Sequence, residues 1–252
     1  MGSLPKTILV IPCFNEAKRL DLSQFEIFLQ NGNFHLIFVD DGSTDDTYSL
    51  LDNWSRNYSE CVQIVRIPTN KGKAEAVRQG LLAAIHYKSQ DVGYADADLA
   101  TPASEIMRLA DILRTNNNSV YAVLGSRIRR LGASISRNPV RHYLGRWFAT
   151  MVSLLLGIPI YDSQCGAKFF RNNTALRSAL QHPFRSRWIF DVELIARLLK
   201  EYGKEPLRPA ERFLEVPLLQ WREIQGSKIR LRAFVWAGID LIRISVNLSS
   251  RN

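Results

Sequence analysis

The sequence predicts an α/β fold with a mostly parallel central sheet. Five short apolar runs, at 7–11, 35–39, 62–67, 92–95 and 121–124, alternate with stretches of helical periodicity. Strands that alternate with helices form βαβ crossovers and hence parallel pairs. A polar, turn-forming motif also follows each of the first four runs. Ligands of such sheets bind there, beyond the strand C-termini.

The first run, Thr7-Ile8-Leu9-Val10-Ile11, is continuously apolar and ends at Pro12, the pattern of a strand covered on both faces. Leu22, Phe25, Phe28 and Leu29 share one face of a helix that Gly32 ends. The strand at 35–39 runs into Asp40-Asp41-Gly42-Ser43, where Ser43 or Thr44 is placed to cap a helix bearing Tyr48, Leu51 and Trp54. A third strand spans 62–67. Ala74, Val77, Leu81 and Ile85 are in register on a helix over 72–85. The fourth and fifth strands are 92–95 and 121–124. Beyond them the pattern predicts helices over 141–156 and 188–202, the second stopped by Gly203, a strand over 213–219 and an amphipathic helix over 231–246. No repeat, low-complexity tract or Pro/Gly linker divides the chain, so residues 1–252 are expected to form one domain.

Composition narrows the partners. The formal net charge is +9, from 33 Lys and Arg against 24 Asp and Glu, which favours anionic partners. Residues 112–161 hold seven arginines and no acidic residue, so that segment is expected to face something negative. The aromatics are not interleaved with Lys and Arg as in nucleic-acid-recognition motifs, so no nucleic-acid partner is expected. Three scattered cysteines give neither a disulfide framework nor a zinc site. The N-terminal residues lead into a strand-like run with no signal-peptide core. The longest charge-free apolar stretch, 147–161, falls short of the about 20 residues that span a bilayer, so any membrane association is expected to be peripheral.

The chemistry centres on Asp96-Ala97-Asp98, which follows the fourth strand. Side chains two apart on a strand share a face, so both carboxylates are expected to project together. Adjacent carboxylates repel unless a cation lies between them. Oxygen-only ligands suit Mg²⁺ or Mn²⁺, held by one or two carboxylates plus substrate phosphates. Asn70-Lys71-Gly72-Lys73 opens a helix, and its backbone N–H groups and two ammoniums suit a diphosphate. Asp40 or Asp41 is placed to accept hydrogen bonds from a base or ribose. The phosphate site is of neither P-loop nor dinucleotide type, since no Walker A pattern and no Gly-x-Gly-x-x-Gly occurs. Gly226-Ser227-Lys228 offers N–H, hydroxyl and ammonium donors to an anion. Trp147, Phe148, Met151 and Leu155, flanked by Arg141 and Arg146, suit either a lipid headgroup layer or core packing against the sheet.

Taken in order, Val10-Ile11-Pro12-Cys13-Phe14-Asn15-Glu16, Val39-Asp40-Asp41-Gly42-Ser43-Thr44-Asp45, Asn70-Lys71-Gly72-Lys73 and Asp96-Ala97-Asp98 resemble the family 2 glycosyltransferases. The likeness continues through Gly125-Ser126-Arg127, Asp162-Ser163-Gln164-Cys165-Gly166-Ala167-Lys168, Trp188-Ile189-Phe190-Asp191-Val192-Glu193-Leu194 and Trp221-Arg222-Glu223-Ile224-Gln225-Gly226-Ser227-Lys228. These segments look most like dolichyl-phosphate β-glucosyltransferases, with polyprenyl-phosphate mannosyltransferases as close relatives. The resemblance implies a GT-A, Rossmann-like, nucleotide-sugar-binding fold, with 7–130 as the donor-binding part and 131–252 as the acceptor and membrane-surface part. It implies an inverting enzyme that moves glucose from UDP-glucose to a polyprenyl phosphate on the cytoplasmic face of a membrane. The same fold also serves GDP-mannose or a soluble acceptor; Ala100, where the mannosyltransferases carry Gln, argues against mannose.

Carried over residue by residue, the donor site comprises Pro12, Asn15, Glu16, Asp40, Asp41, Lys71, Gly72, Lys73, Asp96, Ala97, Asp98 and Arg127. Asp98, with Asp96, would hold Mg²⁺ or Mn²⁺. Gln164, Arg222, Ser227 and Lys228 would meet the acceptor phosphate. Asp162, Asp191 and Glu193 are the candidates for a base or for orienting sugar hydroxyls.

Overall fold

The computed structural model describes residues 6–116, 119–136, 139–203, 208–223 and 240. Its strands are β1 (Thr7–Cys13), β2 (Phe34–Asp41), β3 (Val62–Ile67), β4 (Asp91–Ala95), β5 (Ala122–Ser126), β6 (Ser134–Ser136), β7 (Ala167–Arg171), β8 (Phe213–Pro217) and β9 (Gln220–Arg222). Its helices are α1 (Glu26–Gln30), α2 (Thr47–Ser55), α3 (Lys73–Ile85), α4 (Ala103–Thr115), α5 (Pro139–Leu156), α6 (Thr174–Leu180) and α7 (Phe190–Tyr202).

Seven strands form one sheet in the order β3-β2-β1-β4-β7-β5-β8, and β6 pairs with β9 in a small parallel ribbon. All neighbours in the large sheet are parallel except β7, which is antiparallel to both β4 and β5. From β1 the chain steps outward through β2 and β3, then returns to β4 on the other side of β1. That reversal is the topological switch point, where the crevice for a ligand opens.

Alternation along the strands divides the core into two layers. Ile8, Val10, Ile37, Val39, Val92 and Tyr94 face one layer, shared with buried residues of α3, α5, α6 and α7. Leu9, Ile11, Leu36, Phe38, Ala95 and Phe169 face the other, shared with buried residues of α1, α2 and α4.

Several expectations are corrected. Over 22–29 the structure has a 3-10 turn, Leu22–Phe25, followed by the short α1. Asp21 caps that turn by accepting Ser23 N–H at 3.2 Å, while Phe25 and Phe28 are buried as the pattern requires. Ser43 and Thr44 do not cap α2, whose N-cap is Asp46; their groups serve the site instead. β7, α4 and α6 are additions to the expected elements. β7 is only five residues long and carries a lysine at its centre, so neither its length nor its alternation marks it as a strand. The helix expected over 231–246 lies outside the described residues except for Asp240. Among the described residues, no helix is long and apolar enough to cross a membrane.

Candidate active site

The ends of β1 and β2 are clamped together. Asn15, at φ 53°, accepts Thr44 N–H at 2.9 Å and donates its own N–H to Ser43 Oγ at 3.0 Å. Glu16 and Ala17 donate their N–H groups to Thr47 Oγ1 at 2.8 and 3.0 Å. The Glu16 carboxylate is held by Arg19. Pro12 is half-buried just before this corner.

Asp40 and Asp41 take different roles. Asp40 is wholly buried, and its Oδ1 accepts Ser43 N–H at 3.2 Å. Its Oδ2 is buried without a hydrogen-bond partner, the nearest cation being Arg66 at 3.8 Å. Asp41 instead grips the next loop, accepting Lys71 N–H at 2.9 Å and Gly72 N–H at 2.8 Å. Burial pushes the Asp41 carboxyl above its ordinary range, and those two bonds recover only part of the shift. These bonds correct the expectation that the backbone donors of Lys71 and Gly72 are free for a diphosphate. Gly42, at φ +66°, lets the two loops meet, because a Cβ there would run into the backbone of Thr69 and Asn70.

The acidic pair is presented by a turn. β4 stops at Ala95, and Leu99 N–H donates to Asp96 O at 3.2 Å. Strand alternation therefore does not aim the two carboxylates, although Ala97 is buried and Asp96 and Asp98 are half-buried. Asp98 Oδ1 accepts Ala100 N–H at 3.0 Å. Burial first, then the charge of Asp96, raise the Asp98 carboxyl above its ordinary range. Asp96 is paired with the Lys73 ammonium, whose side chain is 43% exposed. Burial pulls the Lys73 pKa down, but the charges of Asp96, Asp191 and Asp98 outweigh it and hold it above its ordinary value. Gly166 abuts the Asp96 carboxylate so closely that a Cβ there would displace it.

On the other side of this turn, β9 is tied to it by Arg222 N–H, which donates to Ala100 O at 3.0 Å. The Arg222 and Gln164 side chains are exposed. Arg127 forms a fork with Asp162, with Nε and Nη2 at 2.6 and 2.8 Å from its two oxygens. The Arg127 guanidinium also lies 5.3 Å from the centre of the Trp221 ring. Asp162 further accepts Gln164 N–H at 3.2 Å.

The three candidate carboxylates thus differ in position. Asp162 is occupied by Arg127. Glu193 accepts Arg185 N–H at 2.9 Å and Ser186 N–H at 3.1 Å and pairs with Arg197 at 2.6 Å, which makes it a brace for the loop before α7. Asp191 sits in the first turn of α7, where its Oδ1 accepts from the Tyr94 hydroxyl and, at 2.6 Å, from Lys168 Nζ. Asp191 also helps to hold the Lys73 pKa up. Ser227 and Lys228 lie outside the described residues.

Sequence reasoning missed four residues here. Arg19 couples to Asp98 as well as Glu16. The Arg187 side chain packs beside Gly72 and acts on Asp41. Tyr94 and Lys168 fix Asp191. The signal for Lys168 was present, since a lysine inside an apolar strand must have a buried partner.

A divalent cation suits the donor set. Asp96 and Asp98 are oxygen donors, and the raised Asp98 carboxyl reports two negative groups held close in a partly buried place. Among the described residues no group of three or more His, Cys, Asp or Glu side chains could hold a metal. Among the described residues at most these two carboxylates would hold it, and a bound diphosphate and water would supply the remaining ligands.

Comparison with known proteins places this geometry. A family model described as Glycosyl transferase family 2 matches residues 8–177, well over half of the chain. The chain belongs to glycosyl transferase family 2. A dolichyl-phosphate beta-glucosyltransferase of Saccharomyces cerevisiae is 32% identical to this family 2 glycosyltransferase over 262 residues, covering 95% of this chain and 72% of the yeast protein. One from Trichomonas vaginalis is 31% identical, covering 95% of this chain and 71% of its own. The human dolichyl-phosphate beta-glucosyltransferase is 30% identical, covering 88% and 68%. Among solved structures, glucosyl-3-phosphoglycerate synthase from Mycobacterium tuberculosis, in complex with Mn²⁺, UDP-glucose and phosphoglyceric acid, superposes with a TM-score of 0.66 at 18% identity. That match covers 98% of this chain and 80% of the synthase. The architecture of this family 2 glycosyltransferase is the GT-A fold.

Proposed function

We propose that this enzyme transfers glucose from UDP-glucose to a polyprenyl, dolichyl-type phosphate, with inversion at the anomeric carbon, at the cytoplasmic face of a membrane. The observation that carries the reading is the charged cluster at the switch point. Lys73 pairs with Asp96 beside Asp98, Arg127 acts on Asp96, and Arg222 is tied to the same turn through Ala100. The names of the relatives support a lipid-phosphate acceptor, and the synthase complex supports a UDP-glucose donor.

In this reading the orphaned Asp40 Oδ2 accepts the imide N–H of uracil. Lys73 holds the diphosphate, and Asp98 with Asp96 would hold Mg²⁺ or Mn²⁺, which supplies charge stabilisation to the leaving diphosphate. Arg222, with Gln164 and the Gly226-Ser227-Lys228 segment, takes the acceptor phosphate. An oxygen of that phosphate attacks the anomeric carbon from the face opposite the diphosphate. The new carbon–oxygen bond forms as the bond to the diphosphate breaks, and UDP leaves with the electron pair. The acceptor phosphate is already ionised near neutral pH, its second pKa being about 6, so no base is needed to activate it. Asp191, held by Tyr94 and Lys168, serves to orient the sugar or Lys73. Alignment and opposed charge supply the rate.

Incubation of the protein with Mn²⁺, labelled UDP-glucose and dolichyl phosphate is expected to give a chloroform-soluble labelled product. Label in the aqueous phase with an added soluble phosphate acceptor, and none in chloroform, would replace the lipid acceptor with a soluble one. Stronger thermal stabilisation by GDP than by UDP would point to GDP-mannose instead, because bound ligand raises stability by mass action.

A further inference from the structure

Helix α5 is apolar on two opposite sides. Phe148, Ala149 and Val152 are buried and pack in the core. Tyr143, Trp147, Met151 and Leu154 are exposed at 74%, 62%, 43% and 75%. Their spacing of four, four and three residues puts them on one stripe of the helix, away from the buried side. The stripe corrects the grouping expected from the sequence, where Phe148 and Leu155 were placed with Trp147 and Met151. Arg146 is not beside it in function, since its guanidinium donates to Tyr161 O at 2.9 Å and stacks 3.5 Å from the Tyr161 ring centre.

The segment that carries the stripe selects its partner. Residues 112–161 contain no acidic side chain, and within them Arg129, Arg130 and Leu131 are exposed, Leu131 completely. An exposed aromatic and aliphatic stripe in a segment whose exposed Arg129 and Arg130 have no acidic neighbour in sequence matches the interface of an anionic bilayer, where Trp and Tyr sit at headgroup depth and Arg meets lipid phosphate. The chain from the end of α5 at Leu156 to Asp162 spans at most about 22 Å, so the C-terminal end of the helix lies within that reach of the Arg127–Asp162 fork.

We infer that the outer stripe of α5, Tyr143–Trp147–Met151–Leu154, is the surface by which the enzyme docks on an anionic membrane. The inference rests on the lipid-acceptor reading for its purpose, and it deepens that reading by naming the element that meets the bilayer.

The test is co-sedimentation of the full chain with vesicles of phosphatidylcholine, with and without phosphatidylserine. Wild type is expected to bind the phosphatidylserine vesicles, more weakly as salt rises. Trp147→Glu with Leu154→Glu is expected to lower the partition coefficient by about tenfold or more, since both side chains lose apolar burial in the interface. Arg129→Glu with Arg130→Glu is expected to remove the preference for phosphatidylserine. Both pairs are exposed, so unchanged melting temperatures will separate docking from folding. Transfer to a short, water-soluble prenyl phosphate is expected to survive in the Trp147/Leu154 variant, while transfer to dolichyl phosphate in vesicles falls. Equal vesicle binding by wild type and that variant overturns the inference. So does a wild-type dimer that the variant turns into monomer with vesicle binding unaltered, which would assign the stripe to a second copy. If neither acceptor takes glucose yet vesicle binding depends on the stripe, the docking surface stands and the transferase reading falls.

Discussion

Lys73 stands between two anions: the Asp96 carboxylate with which it pairs and the diphosphate proposed to bind beside it. Lys73→Met keeps most of the length and removes the charge. Loss of a charge-assisted hydrogen bond of roughly 1.5–3 kcal/mol predicts about 10- to 100-fold weaker UDP binding by calorimetry. Unchanged affinity would take Lys73 out of the donor site. Asp98 is tested through the metal. Asp98→Asn keeps the acceptor for Ala100 N–H but removes the negative charge, so Mn²⁺ is expected to lose its strengthening effect on UDP binding while the melting temperature holds. At this level the motifs were legible in sequence because each lies directly after an apolar run. Which donor serves which acceptor was not. Asp41 takes the backbone N–H groups of Lys71 and Gly72, a pairing across 30 and 31 residues that no local pattern reveals.

Among the elements, β7 and α7 show how a buried charge is used. Lys168 is wholly buried at the centre of β7, and its ammonium donates to Asp191 of α7 at 2.6 Å and to Cys165 O at 2.5 Å. The Tyr94 hydroxyl of β4 reaches the same Asp191 oxygen. Lys168→Met leaves the Asp191 carboxylate buried without its cation, which is expected to cost about 3–5 kcal/mol in urea unfolding. The double variant Lys168→Met with Asp191→Asn is expected to recover a large part of that loss, because no unpaired charge remains. Additive losses would show that the pair is not coupled. The antiparallel β7 escaped the sequence reading because a five-residue strand with a lysine has no clean alternation. The long runs 7–11 and 35–39 were recognised because strands covered on both faces must be apolar throughout.

For the molecule as a whole, Asp91 sets a pH dependence. It lies fully buried at the start of β4, 3.0 Å from Arg171, and burial outweighs that cation, pushing its pKa from 3.8 up to about 6. Between those values the folded chain binds more protons than the unfolded chain, so stability falls as pH rises through the interval. Above about pH 6 the full cost remains, roughly 3 kcal/mol at about 1.4 kcal/mol per pKa unit. Asp91→Asn is expected to gain on wild type by roughly that amount between pH 4 and pH 7, read by urea unfolding at both ends. A constant difference between the two proteins would mean that Asp91 titrates alike folded and unfolded. The α/β class, the parallel strands β1 to β4 and the positions of the four strand-end motifs were all contained in the sequence, because burial on both faces and turn chemistry act over a few residues. The sheet order that puts β1 between β2 and β4, the gripping of Lys71 and Gly72 by Asp41, the reach of Lys168 to Asp191 and the choice of which α5 stripe stays exposed arose on folding. Each depends on which distant surfaces come into contact, and a local pattern carries no record of its distant partner.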